Sequence, residues 1–301
     1  EQDTLLVYDA DGTEMWSYRF EGPVAEEFYK GPAGAWATPV AIEDLDGDRQ
    51  PEVLVQAVGA ERQHSDVLRC FNGDGSLRWA RRLDDRVRFG QDTYTPPWAV
   101  RAFRVLPNGD GTRSVWATFI HGMMFPSVLE RLAPDGTVGS RYWSNGYVES
   151  VSQATWQGRQ VVLVGACNNE VKGSSLAILD AEDATGTAPA AAAAYRCTSC
   201  PPGDPLAFVV FPGSPLRKAL REPGSVFQAW VRAEGGVVAL VRENAHGAPL
   251  ADGYYHVMLD ADLRPVSVEV TNDFIDLLNW FHRAGRLDHP YSPAIDQQLL
   301  P

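Results

Sequence analysis

Long apolar runs are missing from these 301 residues. The longest nearly uncharged stretch, Ala184 to Tyr195, is rich in Ala, Thr and Pro. It is too short and too weakly apolar to span a bilayer, so no direct membrane insertion is expected within the chain. Basic runs are missing as well: 26 Lys and Arg are scattered among 39 Asp and Glu, giving a net charge of −13 and a pI near 4.9. Phosphate backbones need a basic footprint, so nucleic acid is excluded as a partner, and anionic membrane surfaces are equally unsuited. Helical periodicity is nearly absent before residue 210. Catalytic spacing is missing too. His64, His121, His246, His256, His282 and His289 lie in unrelated contexts, with no H-E-x-x-H and no G-x-S-x-G. No signal peptide opens the chain at Glu1, which reads as a mature form or a piece cut from something longer.

Short apolar runs bounded by Gly, Pro, Asn and Asp recur throughout, as in an all-β protein. With 45% hydrophobic and 22% charged residues the chain can bury a core as one or two domains. Its most informative segment is Asp44-Leu45-Asp46-Gly47-Asp48-Arg49-Gln50-Pro51-Glu52. Four carboxylates this close repel one another unless a cation neutralises them. Carboxylates at positions 1, 3, 5 and 9, with the backbone carbonyl of Gln50 at position 7, supply the hard oxygen ligands of Ca²⁺. A solvated acidic turn without metal is the alternative. The loop lies between the apolar Thr38–Ile42 and Val53–Val55, so it is a turn between strands rather than an EF-hand.

On these residues the chain resembles the FG-GAP/VCBS repeat family, calcium-loop modules that each form part of a β-propeller blade, over roughly Trp36 to Leu83. Asp44, Asp46, Gly47, Asp48 and Glu52 fall on the family pattern one by one. Arg49 departs from it, standing where the family usually has a second glycine able to take positive φ. The resemblance implies Ca²⁺ as cofactor, with Asp44, Asp46, Asp48, Gln50 and Glu52 as its ligands. It also implies an extracytoplasmic setting: secreted, periplasmic or the ectodomain of a membrane-anchored protein.

A repeat supports the propeller. Leu6–Trp16 matches Leu68–Trp79, Leu132–Val138 follows, and Asp11, Asp74 and Asp135 are separated by 63 and 61 residues. Weaker copies at Asp180 and Asp260 have lost the glycine. Each reads as an outer hairpin whose Asp/Asn-Gly supplies the positive φ of a two-residue turn. Inner hairpins recur at Asn108–Trp116, Gln157–Gln160 and Glu234–Gly236; the Asn108 loop lacks the ninth carboxylate and the later turns have too few ligands, so one calcium site is expected. The expected fold is an all-β propeller of about five four-stranded blades over residues 1–270, with a β-sandwich as the alternative. Two helices are predicted. One opens at Ser214-Pro215 and stops at Pro223-Gly224; the other, capped by Thr271 or Asn272 and ending at Gly285, presents Phe274, Leu277, Leu278 and Phe281 on one face and should pack, with the tail 271–301, outside the propeller.

Four cysteines carry little chemistry. Cys197-Thr198-Ser199-Cys200 has no second CxxC for zinc and no βαβ setting for redox work, which leaves a local disulfide or a pair of loop thiols. Outside the cytoplasm the disulfide is the better reading. Candidate ligand-binding residues are His121 and Phe125 in one loop-like segment and Asn168, Asn169 and Glu170 in another, with replacement of the two asparagines expected to leave stability unchanged. The function that follows is a non-enzymatic, calcium-binding module for a protein or carbohydrate ligand. A polysaccharide lyase or hydrolase working at the axial face is the alternative. More loosely, the stretch from Phe125-Pro126-Ser127 through Tyr142-Trp143 to Asn168-Asn169 is similar to propeller ectodomains of bacterial membrane-anchored regulators, which implies a sensor domain.

Overall fold

The computed structural model describes residues 3–24, 39–57, 67–122, 125–220, 224–243 and 252–301. Trp36, His64, Met123, Met124, Pro223 and His246 lie outside them. The chain opens with an antiparallel hairpin, β1 (Thr4–Tyr8) and β2 (Glu14–Arg19). A four-stranded sheet follows, of β3 (Val40–Glu43), β4 (Glu52–Gln56), β5 (Leu68–Phe71) and β6 (Leu77–Arg81). The short β7 (Val87–Phe89) and β8 (Asp92–Tyr94) pair with each other. The next sheet holds β9 (Trp98–Pro107), β10 (Arg113–His121), β11 (Ser127–Leu132) and β12 (Val138–Ser144). After it come β13 (Val148–Trp156), β14 (Arg159–Asn168) and β15 (Gly173–Asp180); β16 (Gly186–Thr187) joins β12 in parallel, and β17 (Ala207–Phe211) completes the β13 sheet. A last sheet holds β18 (Ser225–Val231), β19 (Val237–Glu243), β20 (Gly253–Leu259) and β21 (Pro265–Val270).

Within each four-stranded sheet the strands lie side by side in chain order. That up-and-down order is the blade of an all-β propeller-like fold, and it lacks the Greek-key connections of the sandwich alternative. The two middle strands are the most buried. β4 is buried at all five positions, β14 at eight of ten and β15 at seven of eight, because both faces of a blade's middle are covered, whereas the outer strand β21 has no fully buried residue.

One turn closes most of these hairpins. In Asp9–Thr13, Asn72–Ser76, Ala133–Thr137 and Asp260–Arg264 the first residue's N–H donates to the fifth carbonyl, and the fourth residue's N–H donates to the first carbonyl. The fourth residue takes positive φ: Gly12 at 82°, Gly75 at 86°, Gly136 at 83° and Leu263 at 63°. This is the three-residue loop with a left-handed closing residue, not the two-residue turn expected from the sequence. The true two-residue turn is Gln157-Gly158, whose φ values are 50° and 77°. At Asp180 the hairpin does not form. Its Oδ1 still accepts from Glu182 N–H, but Asp183, in the fourth position, accepts from Thr185 N–H instead of closing the turn, and residues 181–206 intervene before β17.

The chain divides into two compact units: residues 1–87, 93–124 and 128–141, and residues 88–92, 125–127 and 142–301. In the first, successive sheets are joined by tryptophan. Trp16 on β2 donates its Nε1–H to Gly73 O at 3.0 Å, and Trp79 on β6 donates to Pro134 O at 3.0 Å. Each indole lies on the next turn's glycine, so a Cβ at Gly75 or at Gly136 would come within 2.7 Å of the ring. Glu130 on β11, fully buried, adds a charged joint by pairing with Arg81 at 2.7 Å and Arg141 at 2.8 Å.

In the second unit, α1 (Pro215–Leu220) starts at the expected Pro215, and α2 (Asn272–Arg283) is capped by Thr271, whose Oγ1 accepts from Phe274 N–H at 3.3 Å. Phe274, Leu277, Leu278 and Phe281 are buried in the same core as Val241, Tyr255 and Val257 of the last sheet. Gly285, at φ 69°, follows the helix end. A short α3 (Ala294–Gln298) adds Ile295 to that core.

Gly136→Ala is expected to destabilise the chain more than Gly12→Ala. Both carry the backbone cost of a side chain at positive φ, about 1–2 kcal/mol, but nothing lies within 4 Å of a Cβ at Gly12. Urea midpoints of the two variants measure the difference, and equal midpoints would mean that the Trp79 contact contributes nothing.

Candidate functional site

The turn between β3 and β4 is the exception among the hairpins, with eight residues, Asp44 to Pro51, between the paired Glu43 and Glu52. Its aspartates fold the loop back on itself. Asp44 accepts from Gly47 N–H at 2.8 Å and Arg49 N–H at 2.9 Å, Asp46 from Asp48 N–H at 3.3 Å, and Asp48 from Gln50 N–H at 2.7 Å. Arg49, the departure from the family pattern, stands at φ 71° and so takes the conformation a glycine would take. Gln50 also holds Asp48 through its side-chain amide at 3.4 Å.

One carboxylate oxygen from each of Asp44, Asp46 and Asp48 lies within 4.8 Å of the others. Oxygens bound to one Ca²⁺ at about 2.3–2.6 Å stand at most about 5 Å apart, so these three residues fit a single hard cation. Glu52 is held elsewhere. Its side chain is buried, with Oε2 accepting from Leu45 N–H at 2.9 Å and Oε1 from Arg78 at 2.6 Å, while Arg78 Nη2 reaches Asp46 Oδ2 at 2.5 Å. A protein cation thus bridges two of the four crowded carboxylates.

Arg78 escaped the sequence reading. It sits on β6, two strands from β4, and only the strand pairing brings the two together. Its place next to the joint residue Trp79 was the available signal, since neighbouring residues on a strand face opposite ways. Electrostatics follow from it. The hydrogen bond from Arg78 holds the Asp46 carboxyl below the ordinary carboxylate range, whereas burial pushes Glu52 up against the opposing pull of Leu45 N–H and Arg78. The Asp46 contribution to stability is therefore present above its ordinary pKa and lost as pH falls through its depressed value. For Glu52 the sign is reversed: its preference for the protonated form is lost as pH rises through its raised pKa.

The Asn108 loop sits beside this one. Arg113 N–H donates to Leu45 O at 2.8 Å, yet Asn108–Thr112 is only the common five-residue turn, with Asp110 capping Thr112 N–H. No second carboxylate cluster occurs among the described residues.

The candidate ligand-binding residues are placed as follows. His121, at the end of β10, packs edge-to-face with Tyr94 and Trp98 at centroid distances of 5.2 and 5.1 Å. Phe125 meets Phe89 and Tyr195 in the same way at 5.1 and 5.9 Å. Asn168 is buried, and its Oδ1 accepts from Glu170 N–H and Val171 N–H at 3.0 and 3.3 Å. Asn169 N–H donates to Asn145 O, and Glu170 accepts from Ala191 and Ala192 N–H. Asn168 is thus a turn-forming interior residue, and the expectation that its loss leaves stability unchanged is corrected. Its side chain closes the turn by accepting from the two backbone N–H groups that follow it, as Asn does in tight turns. Cys197 and Cys200 are joined by a disulfide, and Cys70 and Cys167 are buried thiols pushed up to about 12 by burial.

No protein-family model matches the chain, and no curated protein matches it. Among solved structures it is similar to the Dos1 propeller at 9% identity, covering 90% of this chain with a TM-score of 0.38. The chain spans about half of that protein, 51%. It is also similar to a member of the duf4221 family from Bacteroides vulgatus at 10% identity, covering 90% of this chain and 87% of that one, with a TM-score of 0.26. Likenesses this loose carry no argument about function.

Two outcomes are expected from this geometry. Arg78→Met should raise the Asp46 pKa, read from its carboxyl carbon in an NMR titration; an unmoved Asp46 curve contradicts the bridge. Asn168→Ala should cost about 1–3 kcal/mol, because two side chain–backbone hydrogen bonds worth about 0.5–1.5 kcal/mol each are lost, and an unchanged urea midpoint would contradict its structural role in the turn.

Proposed function

We propose that the chain is a calcium-stabilised β-propeller serving as a non-enzymatic binding module, of the kind used as a sensor or receptor ectodomain outside the cytoplasm. The observation that carries the reading is the convergence of Asp44, Asp46 and Asp48 within the reach of one cation. Calcium there would neutralise three crowded carboxylates and pin the β3–β4 turn, with Gln50 lending its backbone carbonyl. Glu52, tied to Arg78 and Leu45 N–H, supports the loop from behind. This is a structural role. The likeness to FG-GAP/VCBS loops rests on the same residues.

Two further observations support the setting. Calcium sites of modest affinity fill where calcium is millimolar, outside the cytoplasm, and the Cys197–Cys200 disulfide suits an oxidising compartment. No helix among the described residues is long and apolar enough to cross a membrane. The partner is a protein or a carbohydrate, since the charge of −13 disfavours nucleic acid.

Binding to the native state alone stabilises by about 2.7 kcal/mol at a hundredfold excess of calcium over Kd. Removing calcium with EDTA should therefore lower the melting temperature, Asp46→Ala should abolish that response, and Asp110→Ala should preserve it. Superimposable melting curves with and without chelator would end the calcium reading.

A further inference from the structure

Between the first strands of the last two sheets, within the second unit, lies a cleft of ≈ 680 Å³. One wall is β13 and the Gln157-Gly158 turn; the other is β18 and the turn after it. Its volume is that of a small-molecule site, which runs from about 300 to 1,000 Å³. Ser152 Oγ donates to Ala229 O at 2.7 Å and so ties the two walls together at their base.

We propose that this cleft binds a neutral oligosaccharide, with Trp230 as the stacking platform. Trp230 is 38% exposed, although an indole gains most from burial, and its ring is braced edge-to-face by His256 at 5.9 Å between centroids. A braced and exposed aromatic face attracts the slightly positive C–H hydrogens on one side of a sugar ring, because the π face is negative. Around it the polar groups are neutral. Gln157 Nε2 is fixed on Ala261 O, which keeps its carbonyl oxygen as an oriented acceptor. Thr155 Oγ1 accepts from Gln160, so the hydroxyl hydrogen is left to donate.

Charge selects among ligands. The two ionised side chains of the cleft, Arg232 and Glu234, form an ion pair with each other, so the site offers no uncompensated charge. An acidic glycan or a phosphorylated ligand would meet Glu234 and approach a chain of net charge −13. A neutral, polyhydroxylated ligand uses the indole, the Gln157 amide and the Thr155 hydroxyl without that repulsion.

This deepens the binding-module reading, on which it rests, by naming the ligand class, and it is independent of the calcium loop. The test presents the full chain, in calcium buffer, to an array of neutral and acidic oligosaccharides and measures hits by titration calorimetry. At least one neutral oligosaccharide should bind. Trp230→Ala should weaken it tenfold or more, Trp230→Phe less, and Asp46→Ala should leave it unchanged even if calcium binding is lost. Should Trp230→Ala fail to fold, Gln157→Ala at the exposed rim replaces it, with a loss of severalfold expected. Binding of acidic glycans only, no glycan binding at all, or equal affinity in the cleft variants overturns the proposal. Loss of binding in Asp46→Ala with intact folding would overturn its independence from the calcium loop.

Discussion

A hairpin that reverses within three residues needs one residue in the left-handed conformation, and the sheets of this chain are ordered around that constraint. Where the residue is glycine it also leaves room above the backbone, and Trp16 and Trp79 use that room to lay an indole on the following turn. Closing one hairpin and joining it to the preceding sheet are therefore the same event at Gly75 and Gly136. At Leu263 the conformation survives without the glycine. At Asp180, where the fourth position is Asp183, the turn is lost and residues 181–206 occupy the gap, carrying the disulfide with them.

The β3–β4 turn solves a different problem. Its extra residues bring three aspartates to one side while Glu52 goes into the sheet, and a buried carboxylate requires a partner. Arg78 supplies it. The same arrangement recurs in the next sheet with uncharged acceptors, where Arg131 donates to Ser114 and Asn108. An arginine on the third or fourth strand thus reaches back to the first hairpin in both sheets. In the first sheet this leaves Asp44 and Asp48 without a guanidinium contact among the described ion pairs, and these are the carboxylates a divalent cation would serve best.

Much of the fold was legible because local chemistry decided it. The Asp-Gly and Asn-Gly turns and the apolar face of α2 are features of neighbouring residues, and the pairing followed them. The three aspartates were legible for the same reason. What escaped was set by distance along the chain. Arg78 meets Glu52 from 26 residues away, and the Trp230 cleft exists only where β13 and β18 come together. The turn type was misread because a glycine in a two-residue and in a three-residue turn looks alike until the hydrogen bonds are known.

We propose that a calcium ion, in addition to Arg78, neutralises the β3–β4 turn, and anomalous diffraction from crystals grown with calcium chloride would locate it. One peak is expected at about 2.3–2.6 Å from carboxylate oxygens of Asp44, Asp46 and Asp48, with Arg78 still on Glu52. A turn with no anomalous peak, in which Arg78 is the sole cation among the four carboxylates, would contradict it.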